Sequence, residues 1–137
     1  MRLNSYLSFQ GNCEQAIDLY KDILNAEVTT LMRFSDAPPG VMQVPEDAKN
    51  LIMHATLEFD GNSLMMSDHM NPEFSRGNSF SLSINAQEDE AFAIYNSLLE
   101  GGQVIMPFED AFWGGKFGML VDKFDIQWMF TTDHKPT

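Results

Sequence analysis

The hydrophobic and polar positions of the chain predict one series of elements that occurs twice. Residues 3–9 alternate as a strand does, which places two sets of side chains on opposite faces: Leu3, Ser5, Leu7 and Phe9 on one, and Asn4, Tyr6 and Ser8 on the other. A helical stripe follows from Cys13 to about Asn25, opened by Asn12 and Gln15 in the spacing of a capping box. Alternation then predicts strands at residues 27–34, 52–59 and 63–68, the last two joined by an Asp-Gly-Asn turn.

The second half of the chain repeats this order. A strand at 79–84 leads into a helix that Asn85 and Glu88 cap and that ends at Gly101-Gly102, and strands follow at 103–107, 116–121 and 126–132. An offset of 75 residues aligns the halves, as four identical pairs show: Leu7 and Leu82, Ala16 and Ala91, Tyr20 and Tyr95, and Leu24 and Leu99. The sequence therefore predicts two copies of a βαβββ module, each with a sheet face to bury.

The segment 35–50 shows no periodicity and contains Pro38-Pro39-Gly40 and Pro45. Loops of this length in a compact domain are either functional lids or mobile connections. The sequence favours a mobile loop, with a lid over a site as the alternative.

Composition places the chain among globular proteins. Hydrophobic residues make up 44% of its 137 residues, enough for one domain with a buried core, and no apolar run approaches the roughly 20 residues of a membrane span. The N-terminal residues already alternate as a strand, so we expect a soluble, cytoplasmic protein. Cys13 is the sole cysteine and belongs to the helical stripe, which indicates a buried structural thiol rather than a nucleophile.

The net charge is −12, from 20 acidic and 8 basic residues. Phosphate backbones are bound by clustered basic residues, so nucleic acid is not an expected partner. An acidic envelope favours neutral or cationic ligands, although solubility is the simpler reason for it.

Residues 112–128 are rich in aromatic side chains. Trp113 and Trp128 bracket a Gly114-Gly115 turn, a strand and a tight bend. Aromatic rings beside glycines are typical of places where the backbone approaches another group closely while a ring covers it. The hairpin is thus the lip of a pocket or a buried corner, and the sequence alone favours the buried corner.

Four motifs carry a resemblance to a known family: residues 6–11 with Ala16 and Tyr20, residues 64–68, Phe112-Trp113-Gly114 with Lys116 and Gly118, and the bend at 122–128. With this combination the chain resembles the PhnB-like branch of the vicinal oxygen chelate superfamily, which includes glyoxalase I, bleomycin-resistance proteins and extradiol dioxygenases. It departs from the branch at the bend, where the branch usually has a proline after the first aspartate and Gly-His in place of Asp125-Ile126.

The resemblance implies an α+β fold in which two βαβββ modules form a curved eight-stranded sheet, the glyoxalase/bleomycin-resistance/dioxygenase fold. It implies a single domain over residues 1–133, with module 1 at 1–70, module 2 at 78–133 and a tail at 134–137. It also implies a homodimer, because clefts in this superfamily are commonly completed by pairing modules across chains.

Metal enzymes of the superfamily hold their ion with His, Gln or Glu from the first and fourth strand of each module. By strand position these ligands correspond here to Ser5, Met66, Ser79 and Met129, and a shift of one residue adds no histidine or carboxylate. We therefore predict no metal site and no cofactor. The alternative is a divalent metal at Asp68, which shares its strand parity with Met66. The three histidines are scattered and are interpreted as surface or core-edge residues: His54, His69 and His134.

Strand parity predicts the residues of a ligand-binding cleft, with the aromatic hairpin nearby: Ser5, Met66, Asp68, Ser79, Ser81, Phe112, Trp113, Gln127, Trp128 and Met129. This set combines hydroxyls with flexible thioethers and aromatic rings. Thioethers and rings adapt to the shape of a ligand while a few hydroxyls orient it. The competing interpretation is that the methionines only fill gaps between sheets.

We therefore expect a PhnB-like protein that binds a small organic molecule in its cleft, with the superfamily's metal site lost and the catalytic residues, if any, unassigned. One alternative is a metal-dependent lyase or dioxygenase that uses Asp68 and a histidine. A second alternative is sequestration of a cationic antibiotic, which the acidic charge permits. The sequence shows no motif for a nucleotide or a methyl donor.

Overall fold

The computed structural model describes residues 1–132 and divides the chain into two compact units, one at Met1–Phe74 and one beginning at Ser75. The division falls between residue 70, where the first predicted module ends, and residue 78, where the second begins. Within the described residues, each unit holds one α-helix and one four-stranded mixed sheet, so the predicted α+β class is confirmed. The predicted tail at 134–137 lies outside the described residues.

Unit 1 follows the order that the sequence predicts. Its elements are β1 (Ser5–Phe9), α1 (Cys13–Leu24), β2 (Glu27–Arg33), β3 (Ile52–Phe59) and β4 (Asn62–Asp68). The sheet order is β1-β4-β3-β2, with β1 parallel to β4 and the other pairs antiparallel. Short 3-10 turns at Phe34–Asp36 and Glu46–Ala48 lie at the two ends of the loop between β2 and β3.

Unit 2 repeats this topology. Its elements are β5 (Leu82–Ala86), α2 (Glu88–Leu99), β6 (Gln103–Asp110), β7 (Lys116–Val121) and β8 (Gln127–Thr132). The sheet order is β5-β8-β7-β6, again with the first strand parallel to the last. Neither helix in the described part of the chain is long and apolar enough to span a bilayer.

The core of unit 1 lies between α1 and one face of its sheet. The spacing of Cys13, Ala16, Ile17, Tyr20 and Leu24 puts all five on one side of the helix, and all are buried. Across the sheet, Leu7 pairs with Met66 and Met66 with Ala55, so these side chains share the face that α1 covers.

The core of unit 2 is more aromatic. The centroid of the Tyr95 ring on α2 lies 5.4 Å from that of Phe108, with the two planes at 25°, and 5.4 Å from that of Phe130 in an edge-to-face contact. Gly118 on β7 makes room for this packing, because a Cβ at that position would lie 2.9 Å from Cα of Phe108. The glycine of the sequence motif is therefore required by close packing.

Two predicted helix starts differ from the structure. Asn12 is the N-cap of α1, but Asp68 rather than the Asn12 side chain accepts the hydrogen bond from Cys13 N. The N-cap of α2 is Gln87 instead of Asn85, because β5 pairs with β8 as far as Ala86 and so takes Asn85 into the sheet. The same strand begins at Leu82, three residues later than predicted.

Candidate functional site

Each sheet has one face covered by its helix and one face on the opposite side, which we call the helix-free face. In unit 1 the register assigns residues to it through three cross-strand pairs: Tyr6 with Met65, Thr56 with Met65, and Met32 with His54. The pair of Thr30 with Thr56 extends the same row to the outer strand. A row Thr30, Thr56, Met65, Tyr6 thus crosses all four strands of unit 1.

A hydrogen-bonded chain of three side chains lies on this face. Tyr6 Oη is 3.3 Å from Nδ1 of His54, and Nε2 of His54 is 3.3 Å from Oγ1 of Thr56. The Tyr6 and His54 rings are tilted by 32° with their centroids 5.8 Å apart. Both ring nitrogens of His54 are therefore engaged by hydroxyl groups.

The chain can run in either direction. A neutral imidazole donates from one nitrogen and accepts at the other, whereas a hydroxyl can do both. Tyr6 can donate to Nδ1 while Nε2 donates to Thr56, or Thr56 can donate to Nε2 while Nδ1 donates to Tyr6. Tyr6 is 49% exposed, so its Oη can accept a further hydrogen bond in the first arrangement and donate one in the second.

The helix-free face of unit 2 is dominated by methionine. Met106 pairs with Met119, Met119 with Met129, and Met129 with Ser83, so the four side chains form one row across β6, β7, β8 and β5. Gln127 lies on the same face, opposite Val121. The face parity that the sequence predicts for Gln127 and Met129 agrees with this register.

The aromatic hairpin divides into an exposed tip and a buried base. Phe112 is 98% exposed and Trp113 52% exposed, and their rings pack edge to face 4.8 Å apart. Gly114 and Gly115 have φ angles of 102° and 69°, which favour glycine, and the turn between them carries the tip. The buried-corner interpretation is thus wrong for the Trp113 end of the segment.

Trp128, in contrast, belongs to the core. It is 2% exposed, and its Nε1 donates to Oδ2 of Asp122 over 2.9 Å. Trp128 pairs with Leu82 and Leu120 on the face that α2 covers. Its predicted place at the cleft is therefore corrected: adjacent residues of a strand point to opposite faces, and Gln127 and Met129 take the helix-free one.

The predicted place at the cleft is corrected in the same way for three more residues: Ser5, Met66 and Asp68. The register pairs Ser5 with Leu64, Met66 with Leu7 and Asp68 with Phe9, all on the face that α1 covers. Met66 has no exposed surface. The physical reason is that these three positions share their parity with large apolar side chains, whose burial against the helix decides the orientation of the strand.

Asp68 is a structural carboxylate. Its Oδ1 accepts hydrogen bonds from Gly11 N at 2.8 Å and Cys13 N at 3.0 Å, and its Oδ2 accepts one from Ile52 N at 2.9 Å. The side chain is 4% exposed. It therefore caps α1 and holds the start of β3. Three backbone N–H groups that would otherwise lack this acceptor are satisfied in this way.

Cys13 is buried beside Asp68, as the sequence predicts for a structural thiol. Burial, together with the negative charges of Asp68 and Glu14, raises the pKa of the Cys13 thiol well above its ordinary value. A thiol that stays protonated is a poor nucleophile.

The remaining predicted cleft residues precede β5. Ser79 is exposed and Ser81 half-buried, and both lie before the strand begins at Leu82. They therefore lie in the segment of unit 2 that precedes β5 and not at strand positions.

The donor set does not fit a divalent metal ion. Within residues 1–132 no three His, Cys, Asp or Glu side chains come together in a group that could hold one. Both oxygens of Asp68 accept backbone hydrogen bonds, and His69 accepts one from Asn71 N at 3.2 Å through its Nδ1. No chemical step through a metal follows from this arrangement.

The sequence pattern does not predict the pairing of Tyr6 with His54. Alternation already places Tyr6 and its neighbour Leu7 on different faces of the sheet, and likewise His54 and Ala55. Tyr6 and His54 therefore each lie on the more polar face of their strand. If the more polar faces of the two strands belong to the same side of the sheet, Tyr6 and His54 lie on one face. That β4 lies between their strands is visible only in the sheet order.

Comparison with known proteins agrees with this fold. The chain is 34% identical to Protein YjdN of Escherichia coli (strain K12) over 140 residues, which cover 94% of this chain and 93% of YjdN. A putative 3-demethylubiquinone-9 3-methyltransferase, PhnB protein, from Bacillus cereus is 25% identical, with a TM-score of 0.80 and coverage of 97% and 100% of the two chains.

A fosfomycin resistance protein, FosX, from Listeria monocytogenes shares the fold alone. It is 9% identical, with a TM-score of 0.66 over 96% of this chain and 91% of FosX. Residues 2–131 match the family described as 3-demethylubiquinone-9 3-methyltransferase. The chain therefore belongs to this PhnB-like family of the vicinal oxygen chelate superfamily.

Proposed function

We propose that the protein binds a small organic molecule on the helix-free faces of its sheets. The observation that carries this proposal is the row of Met106, Met119 and Met129 beside Ser83 in unit 2. Thioether side chains are flexible and polarisable, so such a row can adapt to an apolar ligand while a hydroxyl orients a polar group.

The exposure of these side chains supports the proposal. Met119 and Met129 are half-buried and Met106 is 46% exposed, whereas Met66 on a helix-covered face has no exposed surface. The methionines of the row therefore keep apolar surface that a ligand can cover, and its burial would favour binding.

The proposal concerns binding and no reaction. Methyl transfer, which the family's description names, is not included because the sequence has no motif for a methyl donor. A metal-dependent lyase or dioxygenase is not included because the donor set described above does not fit a metal.

We also infer that the protein is a cytoplasmic homodimer. The outer strand β6 supports association, since Val104 is 47% and Ile105 52% exposed on it, and exposed apolar edge strands tend to be covered in a stable protein. The buried, unpaired Cys13 is compatible with a reducing compartment. Light scattering coupled to size-exclusion chromatography tests the dimer, and a monomeric mass at micromolar concentration would contradict it.

The test of binding is a screen of neutral and cationic aromatic compounds, followed by NMR of protein labelled with ¹³C at the methionine methyl groups. We expect bound compounds to shift the resonances of Met119 and Met129. Met129→Gln should weaken binding, because it places an amide in the apolar row. Met42→Gln, in the loop and 43% exposed, is the matched control and should leave binding unchanged.

Binding that is indifferent to Met129→Gln would refute this location of the site. A preference for cationic compounds would favour sequestration of a cationic antibiotic. Elemental analysis after incubation with nickel, zinc, manganese and iron(II) tests the metal alternative, and one metal per chain would return the lyase and dioxygenase reactions to consideration.

A further inference from the structure

We propose that Tyr6, His54 and Thr56 form a recognition site for a neutral aromatic molecule that carries a hydroxyl group, with Tyr6 Oη contacting the ligand's oxygen. This inference rests on the proposed function, because it requires the helix-free face of unit 1 to admit a ligand. It adds a chemical class of ligand and the residues that select it.

The geometry gives Tyr6 the outermost place in the hydrogen-bonded chain. His54 is half-buried and both its nitrogens are engaged, at 3.3 Å from Tyr6 Oη and 3.3 Å from Thr56 Oγ1. Thr56 is also half-buried, whereas Tyr6 is 49% exposed. A ligand that approaches this face therefore meets the phenol first.

The two directions of the chain select a hydroxyl. When Tyr6 donates to His54, its Oη can only accept from the ligand, and when His54 donates to Tyr6, its O–H can donate to the ligand. A ligand hydroxyl can donate in the first case and accept in the second. An ether or a carbonyl oxygen can only accept, so it forms this hydrogen bond when His54 donates to Tyr6 and not when Tyr6 donates to His54.

The neighbouring side chains favour an aromatic ring. Met65 lies directly opposite Tyr6 and Met32 directly opposite His54, and Met32 is 38% exposed. Thioether sulfurs make favourable contacts with aromatic rings, and these two methionines flank the hydroxyl chain. The overall charge of −12 opposes the approach of anions, so a neutral ligand is favoured over an anionic one.

The experiment compares p-cresol with anisole, two isomers of the same size of which only the first has a hydroxyl. Each is titrated into the full chain labelled at the methionine methyl groups, and dissociation constants are taken from the shifts of Met32 and Met65. We expect p-cresol to bind about three- to tenfold more tightly, the range that one hydrogen bond supplies.

Tyr6→Phe should abolish the preference for p-cresol over anisole, because it removes the hydroxyl group that contacts the oxygen of either ligand. Thr56→Val should weaken the preference without removing it, since Thr56 positions His54 and does not touch the ligand. Tyr95→Phe removes a phenol of unit 2 and is the matched control, which should leave the preference intact. Retained dispersion in the amide spectrum shows that each variant is folded.

Equal affinities for the two isomers in the wild-type protein would overturn the inference, as would a preference for p-cresol that survives Tyr6→Phe. Shifts confined to Met119 and Met129 would overturn it and leave the proposed function standing. The absence of shifts at all four methionines, for both isomers and for every compound of the screen, would overturn both.

Discussion

The indole Nε1 of Trp128 donates a hydrogen bond of 2.9 Å to Oδ2 of Asp122, and both side chains are buried. The other oxygen, Oδ1, accepts from Phe124 N at 2.8 Å and Ile126 N at 3.1 Å. One carboxylate thus shapes the turn between β7 and β8 and fixes the ring that fills the core of unit 2.

Trp128→Phe should lower the free energy of unfolding by about 1–3 kcal/mol, because it leaves a buried carboxylate oxygen without this donor and removes part of the packed ring. Urea unfolding followed by circular dichroism measures the loss.

Trp113→Phe makes the same chemical change at the exposed tip of the hairpin. We expect it to alter the free energy of unfolding by less than about 0.5 kcal/mol. Equal losses in the two variants would contradict the stabilising role assigned to the buried Trp128 ring and its bond to Asp122.

Asp68→Asn should destabilise unit 1 although it is nearly isosteric. The amide keeps one acceptor oxygen, but its NH₂ group then faces Ile52 N or the two donors at Gly11 and Cys13. We expect a loss of about 1–3 kcal/mol in the free energy of unfolding. The readout is labelling of the Cys13 thiol, which unfolding exposes, across a urea series.

Asp18→Asn removes the same charge from an exposed position of α1 and is the control for Asp68→Asn. Its expected effect on the free energy of unfolding is within about 0.5 kcal/mol. A neutral outcome at Asp68 would mean that its backbone contacts are replaced by water at no cost.

The pair of Glu14 and Arg33 should make a small, pH-dependent contribution to stability. Oε2 of Glu14 lies 2.5 Å from Nη2 of Arg33, whose Nη1 also donates to the carbonyl of Asn50 at 2.6 Å. The hydrogen bond from Arg33 lowers the pKa of Glu14 below its ordinary value of 4.5. A lowered pKa in the folded state means that the contribution is complete above pH 4.5 and is lost as the pH falls through the lowered pKa.

Glu14 is 51% exposed, so solvent screening limits the contribution. Glu14→Gln should reduce the free energy of unfolding by less than about 1 kcal/mol at pH 7. Thermal unfolding of the variant and the wild type from pH 7 to pH 3 gives the difference. A stability difference between the wild type and the variant that grows as the pH falls would contradict this contribution of the ion pair.

Asp125→Gly should stabilise the protein by about 0.5–1 kcal/mol. Asp125 has a φ angle of 65°, a left-handed conformation that costs less for glycine, and it stands where the PhnB-like branch usually has glycine. Ala93→Gly, at an exposed position inside α2, is the contrasting control, which should destabilise by about 1 kcal/mol because glycine weakens a helix interior. Both changes are measured by thermal unfolding, and a destabilised Asp125→Gly would show that the aspartate side chain itself is needed in the turn.

The elements of this fold could be predicted from the sequence because their causes are local. The stripe of Cys13, Ala16 and Tyr20 gives α1, and Asp60-Gly61 with its φ angles of 48° and 78° turns β3 into β4. Repetition of the pattern gives the topology, since a second copy of one module has the same sheet order.

The candidate site could not be predicted from local causes. Ser5 shares its strand parity with Leu7 and Phe9, and those apolar side chains decide which face the helix covers. The strand pattern alone places Asp68 at the cleft. The three backbone N–H groups that donate to it come from distant segments of the chain and are visible only in the structure. The contact between Tyr6 and His54 depends on β4 lying between their strands, which no neighbouring residue specifies.

The carboxylate of Asp68 also constrains the order of folding. It caps α1 from 55 positions further along the chain, so the helix is made, and leaves the ribosome, well before its cap exists. Because the cap requires closure of this long loop, we expect it to form late on the folding pathway. Asp68→Asn should therefore speed unfolding and leave the folding rate nearly unchanged in stopped-flow measurements. We thus expect this contact to contribute little to the folding rate of unit 1 and much to slowing its unfolding.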